Sequence, residues 1–198
     1  MPPAPPGPAG LLLAAGAGRR YGGPKALVRH ADGRLLVERA AGVLAGGGCA
    51  PVVVVLGASA AEVRATAALP GVVLVDNPRW ADGMGSSLRV GLAALAGTAV
   101  RATVVLLVDL PGVTATAVRR VARHVGSDAL VAAGYPAGRW GHPVLLGRRH
   151  WPGITATAVG DRGARAYLRA RPGQLRVVDC ADVADGTDLD RPAGAGRA

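Results

Sequence analysis

The chain has 198 residues, half of them hydrophobic, with 30 Gly and 15 Pro that follow no period, which suits one compact domain and excludes collagen, a coiled coil and wholesale disorder. Net charge is +10, from 23 basic and 13 acidic residues, but the arginines are scattered and Phe is absent, so the aromatic-and-basic surface of a nucleic-acid binder is not expected. No apolar run approaches the roughly 20 residues needed to cross a bilayer, no basic segment opens a secretory signal, and the widely spaced Cys49 and Cys180 suit a reducing cytoplasm.

Residues 1–9 (MPPAPPGPA) read as a flexible Pro-rich arm, residues 10–192 as a single domain and residues 193–198 as a flexible tail. Gly10–Ala15 is a short apolar run that predicts a strand, followed by a glycine-rich loop to Lys25. Leu35, Leu36, Ala40, Val43 and Leu44 have helical spacing and predict a helix over Arg34–Ala45. Pro51–Leu56 is β-branched and predicts a buried strand. Ser59 with Glu62 three residues later predicts a capping box opening a helix over Ala60–Ala68. A strand over Val72–Val75, a helix over Ser86–Ala96, a strand over Ala102–Val108, a helix over Thr114–His124 and a strand over Ala129–Ala133 follow. Gly134–Trp151 breaks the alternation and predicts an antiparallel excursion. Arg162–Ala170 then reads as helical and Leu175–Val178 as extended. Continuous apolar strands alternating with helices predict an α/β fold, with a mostly parallel sheet covered by helices on both faces. In such a sheet the functional residues belong at the carboxyl ends of strands, where the strand order reverses.

The segment Leu11–Leu27 (LLLAAGAGRRYGGPKAL) holds four glycines, two arginines and the only lysine, Lys25, in a chain with 23 basic residues. Glycines let backbone amides approach phosphate oxygens, and the basic side chains neutralise them. A dinucleotide fingerprint fails, because Tyr21 stands where the third glycine belongs. A P-loop fails as well, because Pro24 and Ala26 flank the lysine. No serine-hydrolase elbow, zincin motif or zinc spacing occurs. Metal-assisted phosphoryl chemistry remains.

The loop resembles the first signature of sugar-nucleotide-type nucleotidyltransferases, in the MobA-like branch that includes molybdenum cofactor cytidylyltransferase. Asn77-Pro78-Arg79-Trp80 with Gly83-Met84-Gly85-Ser86-Ser87-Leu88 is similar to that family's second signature. Val108-Asp109-Leu110-Pro111 is similar to its metal-binding aspartate. Gly141-His142-Pro143, Gly160–Arg165 and Asp188–Pro192 are similar to its later motifs, in order, so the resemblance spans about residues 10–192. Tyr21 replaces the usual Met and Arg191 the usual Thr.

The resemblance implies a three-layer Rossmann-like nucleotidyltransferase fold and a Mg²⁺-dependent transfer of CMP from CTP to the phosphate of molybdopterin. Lys25, Arg20 and Asp109 become the catalytic residues, with Mg²⁺ on Asp109 and on Asp190 or Asp188. Leu13, Ala14, Ala15, Gly16, Gly18 and Arg19, with Gly83, Met84, Ser86 and Ser87, become the nucleotide contacts. His142 and Asp161 fall near the acceptor, although a structural histidine and a plain helix cap fit those two as readily. Helix capping alone would also account for Ser86 or Ser87. A partner would be a molybdoenzyme or its chaperone, with neither nucleic acid nor membrane involved. A guanylyltransferase acting on molybdopterin or phospholactate is the rival enzyme. A non-catalytic cofactor-binding chaperone is the rival of another class.

Overall fold

The computed structural model describes residues 7–189. Asp190, Arg191, the tail 193–198 and residues 1–6 of the N-terminal arm lie outside the described residues. The order is β1 (Ala9–Ala14), α1 (Leu36–Gly46), β2 (Val52–Leu56), α2 (Ala60–Thr66), β3 (Val72–Asp76), α3 (Met84–Leu95), β4 (Ala102–Leu107), α4 (Ala115–Ala122), β5 (Leu130–Tyr135), β6 (Arg139–Gly147), α5 (Trp151–Thr157), α6 (Arg165–Arg169) and β7 (Leu175–Asp179). The strands form one seven-stranded sheet in the order β3-β2-β1-β4-β6-β5-β7. All neighbours are parallel except β6, which runs antiparallel between β4 and β5. This is the antiparallel excursion that the break in alternation predicts.

Strand side chains alternate between faces, and the chain exploits this to build two cores. Leu12, Val54, Leu56, Val104 and Leu106 pack with α1 and α4 on one side. Leu11, Leu13, Val53, Val55 and Val105 pack with α3, α5 and α6 on the other. At β1, β2 and β4 both faces are buried, which is why these strands read as unbroken Val and Leu runs. The close fit is local as well: a β-carbon at Gly91 of α3 would lie 2.3 Å from the Leu11 side chain, so glycine is what lets that helix settle on β1.

Several expectations about element ends need correcting. The first strand begins at Ala9, which is fully buried. The capping box expected at Ser59 does not form, because that hydroxyl makes no cap hydrogen bond. Glu38 does the stapling instead: its carboxylate accepts from the Leu35 amide at 2.9 Å and from the Ala68 amide at 2.7 Å. The third helix begins at Met84 rather than Ser86, with Gly83 as its N-cap. Trp151–Thr157 is a helix where the sequence analysis placed no element, with Pro152 in its first turn. The helix expected from Arg162 splits at Gly163, whose φ is +47°, into a short 3₁₀ turn and α6.

Candidate active site

Strand order reverses between β1 and β4, and their ends lie level: Leu13 pairs with Val55 on one side and Leu107 on the other. The loop after β1 and the loop after β4 therefore open into one crevice, the place where α/β sheets bind ligands. Lys25 comes from the first loop and Asp109 from the second. The Lys25 Nζ donates to Asp109 Oδ2 at 2.8 Å, with side chains 15% and 24% exposed. Two segments 84 residues apart thus place a cation and a carboxylate in contact at the switch point.

The glycine-rich loop is shaped from within. The amides of Tyr21, Gly22 and Gly23 donate to the Gly18 carbonyl at 2.9, 3.0 and 3.2 Å. Gly18 has φ +61°, and a β-carbon there would lie 1.8 Å from the Gly23 carbonyl oxygen. The second half of the loop is thereby folded onto the first. Gly16 has open space where a side chain would stand, and Arg19 and Arg20 are exposed. Ala15 differs: it is buried, and a β-carbon on Gly57 would lie 2.5 Å from its carbonyl oxygen and 2.8 Å from its methyl. Glycine at 57 therefore lets the loops after β1 and β2 close together, and the Ala58 amide donates to the Ala15 carbonyl at 3.0 Å.

A cavity of about 560 Å³ opens beside this crevice, and its lining takes in Leu13, Met84, His142, Asp161 and Asp188. Asp109 lies in sequence between two of the lining residues, Leu107 and Leu110. His142 Nδ1 lies 3.1 Å from the Val105 carbonyl, an acceptor only, so Nδ1 carries the proton and Nε2 is an acceptor. Burial is the main cause holding its pKa below the ordinary histidine value. The neutral ring is the form present near pH 7. Tyr135 donates its hydroxyl to the His142 carbonyl at 2.6 Å, and burial pushes that phenol upward.

Ser86 and Ser87 are buried inside the first turn of α3, and neither caps the helix. Asn77, 2% exposed, donates through Nδ2 to Ser86 Oγ at 2.8 Å and Ser87 Oγ at 3.0 Å, and accepts from the Arg79 amide at 3.0 Å. Gly83 and Gly85 are small for a related reason. β-Carbons there would lie 2.5 Å from Gly160 and 2.6 Å from Ala158. The turn 158–161 thus packs on the start of α3, and Arg89 donates to the Ala158 carbonyl. Asp161 faces the same helix start, with Oδ1 3.4 Å from the Met84 amide. Asn77→Ala is expected to cost about 2–3 kcal/mol of unfolding free energy, because it removes the donor to two buried hydroxyls and the acceptor of the Arg79 amide, although Ser86 keeps its bonds to the Arg79 and Gly83 carbonyls. Urea denaturation checks this.

Sequence reasoning from the motifs alone did not find how the C-terminal segment is tied down. The Asp185 amide donates to the Gly112 carbonyl at 3.0 Å and the Leu189 amide to the Asp109 carbonyl at 2.9 Å. Arg120 holds Asp182 in an ion pair, with Nη2 to Oδ2 at 2.7 Å. Together these bonds lay the segment that ends at Leu189 along the loop after β4.

The family profile described as the MobA-like NTP transferase domain matches residues 10–177. The chain belongs to the MobA-like NTP transferase family. It is 42% identical over 188 residues, 91% of either chain, to the nicotine blue oxidoreductase of Paenarthrobacter nicotinovorans. The crystal structure of Rv0371c from Mycobacterium tuberculosis in complex with manganese is 28% identical, with TM-score 0.73 over 93% of this chain and 92% of that one. A nucleotidyl transferase from Methanothermobacter thermautotrophicus shares the fold, with TM-score 0.79 at 21% identity over 93% and 92% of the two chains.

Within this MobA-like domain, no group of three or more His, Cys, Asp or Glu side chains among the described residues could hold a metal alone. Asp109 and Asp188 on adjoining segments suit a hard divalent ion, which takes one or two carboxylates and fills its other positions with phosphate and water. Cys49 and Cys180 are both buried. Burial pushes the Cys49 thiol up to about 12, which leaves it inert. No helix among the described residues is long and apolar enough to cross a membrane.

Proposed function

We propose that this protein is a Mg²⁺-dependent cytidylyltransferase that moves CMP from CTP to the phosphate of molybdopterin, releasing pyrophosphate and forming the cytosine dinucleotide cofactor. The observation that carries this reading is the Lys25–Asp109 pair at the switch point, at 2.8 Å, between a phosphate-type glycine loop and a cavity large enough for an acceptor. An oxygen of the acceptor phosphate attacks the α-phosphorus, a new P–O bond forms, and the bond to the β-phosphate bridging oxygen breaks. That acceptor oxygen is already anionic near neutral pH, so no general base is required, in keeping with a His142 whose proton is committed to Val105.

Lys25, Arg19, Arg20 and the backbone of residues 16–20 neutralise the triphosphate and steady the departing pyrophosphate. Asp109, with Asp190 or Asp188, would hold Mg²⁺, which would supply polarisation of the α-phosphate. Leu13-Ala14-Ala15-Gly16 supports CTP over GTP, since the guanylyl branch reads L-A-G-G. A methyl at Ala15 in place of hydrogen is worth about 1–3 kcal/mol of discrimination. The product would pass to a molybdoenzyme or its chaperone.

The test is a thermal-shift panel of CTP, GTP, ATP and UTP with and without Mg²⁺, followed by pyrophosphate release with molybdopterin. A ligand at 100 times its dissociation constant adds about 2.7 kcal/mol. A Mg²⁺-dependent shift with CTP and acceptor-dependent pyrophosphate are expected. A shift with GTP alone makes the protein a guanylyltransferase. Tight molybdopterin binding without pyrophosphate makes it a chaperone.

A second reading rests on the Paenarthrobacter relative: an oxidoreductase acting on nicotine blue. Tyr21, standing where a dinucleotide fingerprint needs glycine, favours the transferase. Bleaching of nicotine blue with a reduced nicotinamide dinucleotide, and no pyrophosphate from any triphosphate, would decide for the oxidoreductase.

A further inference from the structure

The loop 16–25 and Asp109 account for the triphosphate, and the 560 Å³ cavity reaches from Leu13 and Met84, on the nucleotide side, to a wall that the triphosphate does not use. Its floor is apolar, with Leu88, Val105, Leu107, Val144 and Leu146 contributing. Trp140 forms part of its wall, with the Arg165 guanidinium over the indole at 5.7 Å from the ring centroid. Arg139, Arg162 and Arg169 also line it.

Arg162, Arg165 and Arg169 take no part in an ion pair among the described residues, whereas Arg39, Arg64, Arg79, Arg120 and Arg149 each hold an aspartate. Arg165 and Arg169 stand four residues apart on α6 and so share a face. Guanidiniums gathered around one concavity focus positive potential there. They also match phosphate and carboxylate with paired donors. The floor asks for an apolar body and the rim for negative charge. The volume lies within the roughly 300–1,000 Å³ of sites that bury a drug-sized ligand. A three-carbon phospho-acid would leave most of the apolar floor wet.

Resting on the transferase reading, we propose that Trp140 and Arg165 are specificity-determining residues: they form the wall on which a flat ring of the acceptor stacks, and the arginine rim holds its anionic groups. The acceptor is then a planar heterocycle bearing phosphate, and small aliphatic phospho-acids are rejected because they cannot cover the indole. Arg165 serves twice, ordering the indole through a cation–π contact and meeting the acceptor's charge.

The test uses the full chain and a fluorescent pterin monophosphate, with unphosphorylated pterin and 2-phospholactate as comparison ligands. Wild type should bind pterin monophosphate with quenching of its fluorescence. Trp140→Ala should weaken that binding about tenfold, the scale of one lost ring-stacking contact, and Trp140→Phe should restore most of it. Arg165→Met should weaken pterin monophosphate more than unphosphorylated pterin. The Mg²⁺–CTP thermal shift should persist in every variant, which also shows that each is folded. Equal pterin binding by wild type and Trp140→Ala, or phospholactate bound as tightly as the pterin, overturns the proposal and leaves the transferase reading standing. Loss of the CTP shift in folded Trp140→Ala also overturns it, because the cavity would then belong to the nucleotide. Absence of any CTP shift in wild type, with Trp140-dependent pterin quenching intact, removes the transferase reading and spares the wall.

Discussion

Asp109→Asn is expected to lower turnover in pyrophosphate release by about a hundredfold or more, with little change in melting temperature. The substitution keeps the shape of the side chain and removes one unit of negative charge. Its position explains why folding should tolerate it: the carboxylate is 24% exposed and lies two residues beyond the end of β4, in a loop rather than in the core. Chemistry should not tolerate it. Asp109 faces Lys25 at 2.8 Å, and together they set the charge where the triphosphate of the proposed reaction is cleaved. A hundredfold loss corresponds to about 2.7 kcal/mol of transition-state stabilisation, the scale found when one preorganised charged or hydrogen-bonding group is removed. The asparagine enzyme should also need more Mg²⁺ for half-maximal rate, since the ion would lose a negative ligand. Lys25→Ala should fall comparably in turnover, and the double variant should lose far less than the product of the two, because the residues act as a unit. Near-full turnover by either single variant would remove both from the chemistry.

How far the sequence alone reaches is visible in the same residues. The strand runs were legible because both sheet faces are buried and Val and Leu repeat without interruption. Lys25 stood out too, as the sole lysine of the chain in a glycine-rich loop after the first strand. The partner of each polar group was not legible. Ser59 and Glu62 have the spacing of a capping box, yet the carboxylate that staples α1 to the end of α2 is Glu38, reaching an amide 30 residues away. Helix capping alone would have accounted for Ser86 or Ser87. Their hydroxyls are instead held by Asn77, nine and ten residues earlier. Nor was it legible that Gly83 and Gly85 receive the turn 158–161, a contact across more than 70 residues that no local pattern encodes. The arginines of the cavity wall were lost among the other arginines of the chain, because only the fold decides which of them meet a carboxylate.

Gly18→Ala carries the second large effect, and its comparison with Gly22→Ala isolates the cause. Both glycines have positive φ, +61° and +95°, so a methyl at either imposes backbone strain of roughly 1–2 kcal/mol. At Gly22 that strain is the whole cost, since nothing lies within 4 Å of the added carbon. At Gly18 the added carbon would fall 1.8 Å from the Gly23 carbonyl oxygen and 2.7 Å from its carbon. These are backbone atoms that cannot swing aside. The loop would have to open, breaking the bonds from the Tyr21, Gly22 and Gly23 amides to the Gly18 carbonyl. Because the loop is surface-exposed in large part, unfolding stability should fall only by about 1–3 kcal/mol. The position of Lys25, which closes the loop against Asp109, would shift by far more than the fraction of an ångström that catalysis tolerates. Gly18→Ala should therefore lose about a hundredfold in kcat/KM for the nucleoside triphosphate, and Gly22→Ala no more than about tenfold. Steady-state pyrophosphate release beside calorimetric melting of the same preparations measures both quantities. Equal losses in the two variants would mean that strain alone, and not the Gly18–Gly23 approach, shapes the phosphate loop.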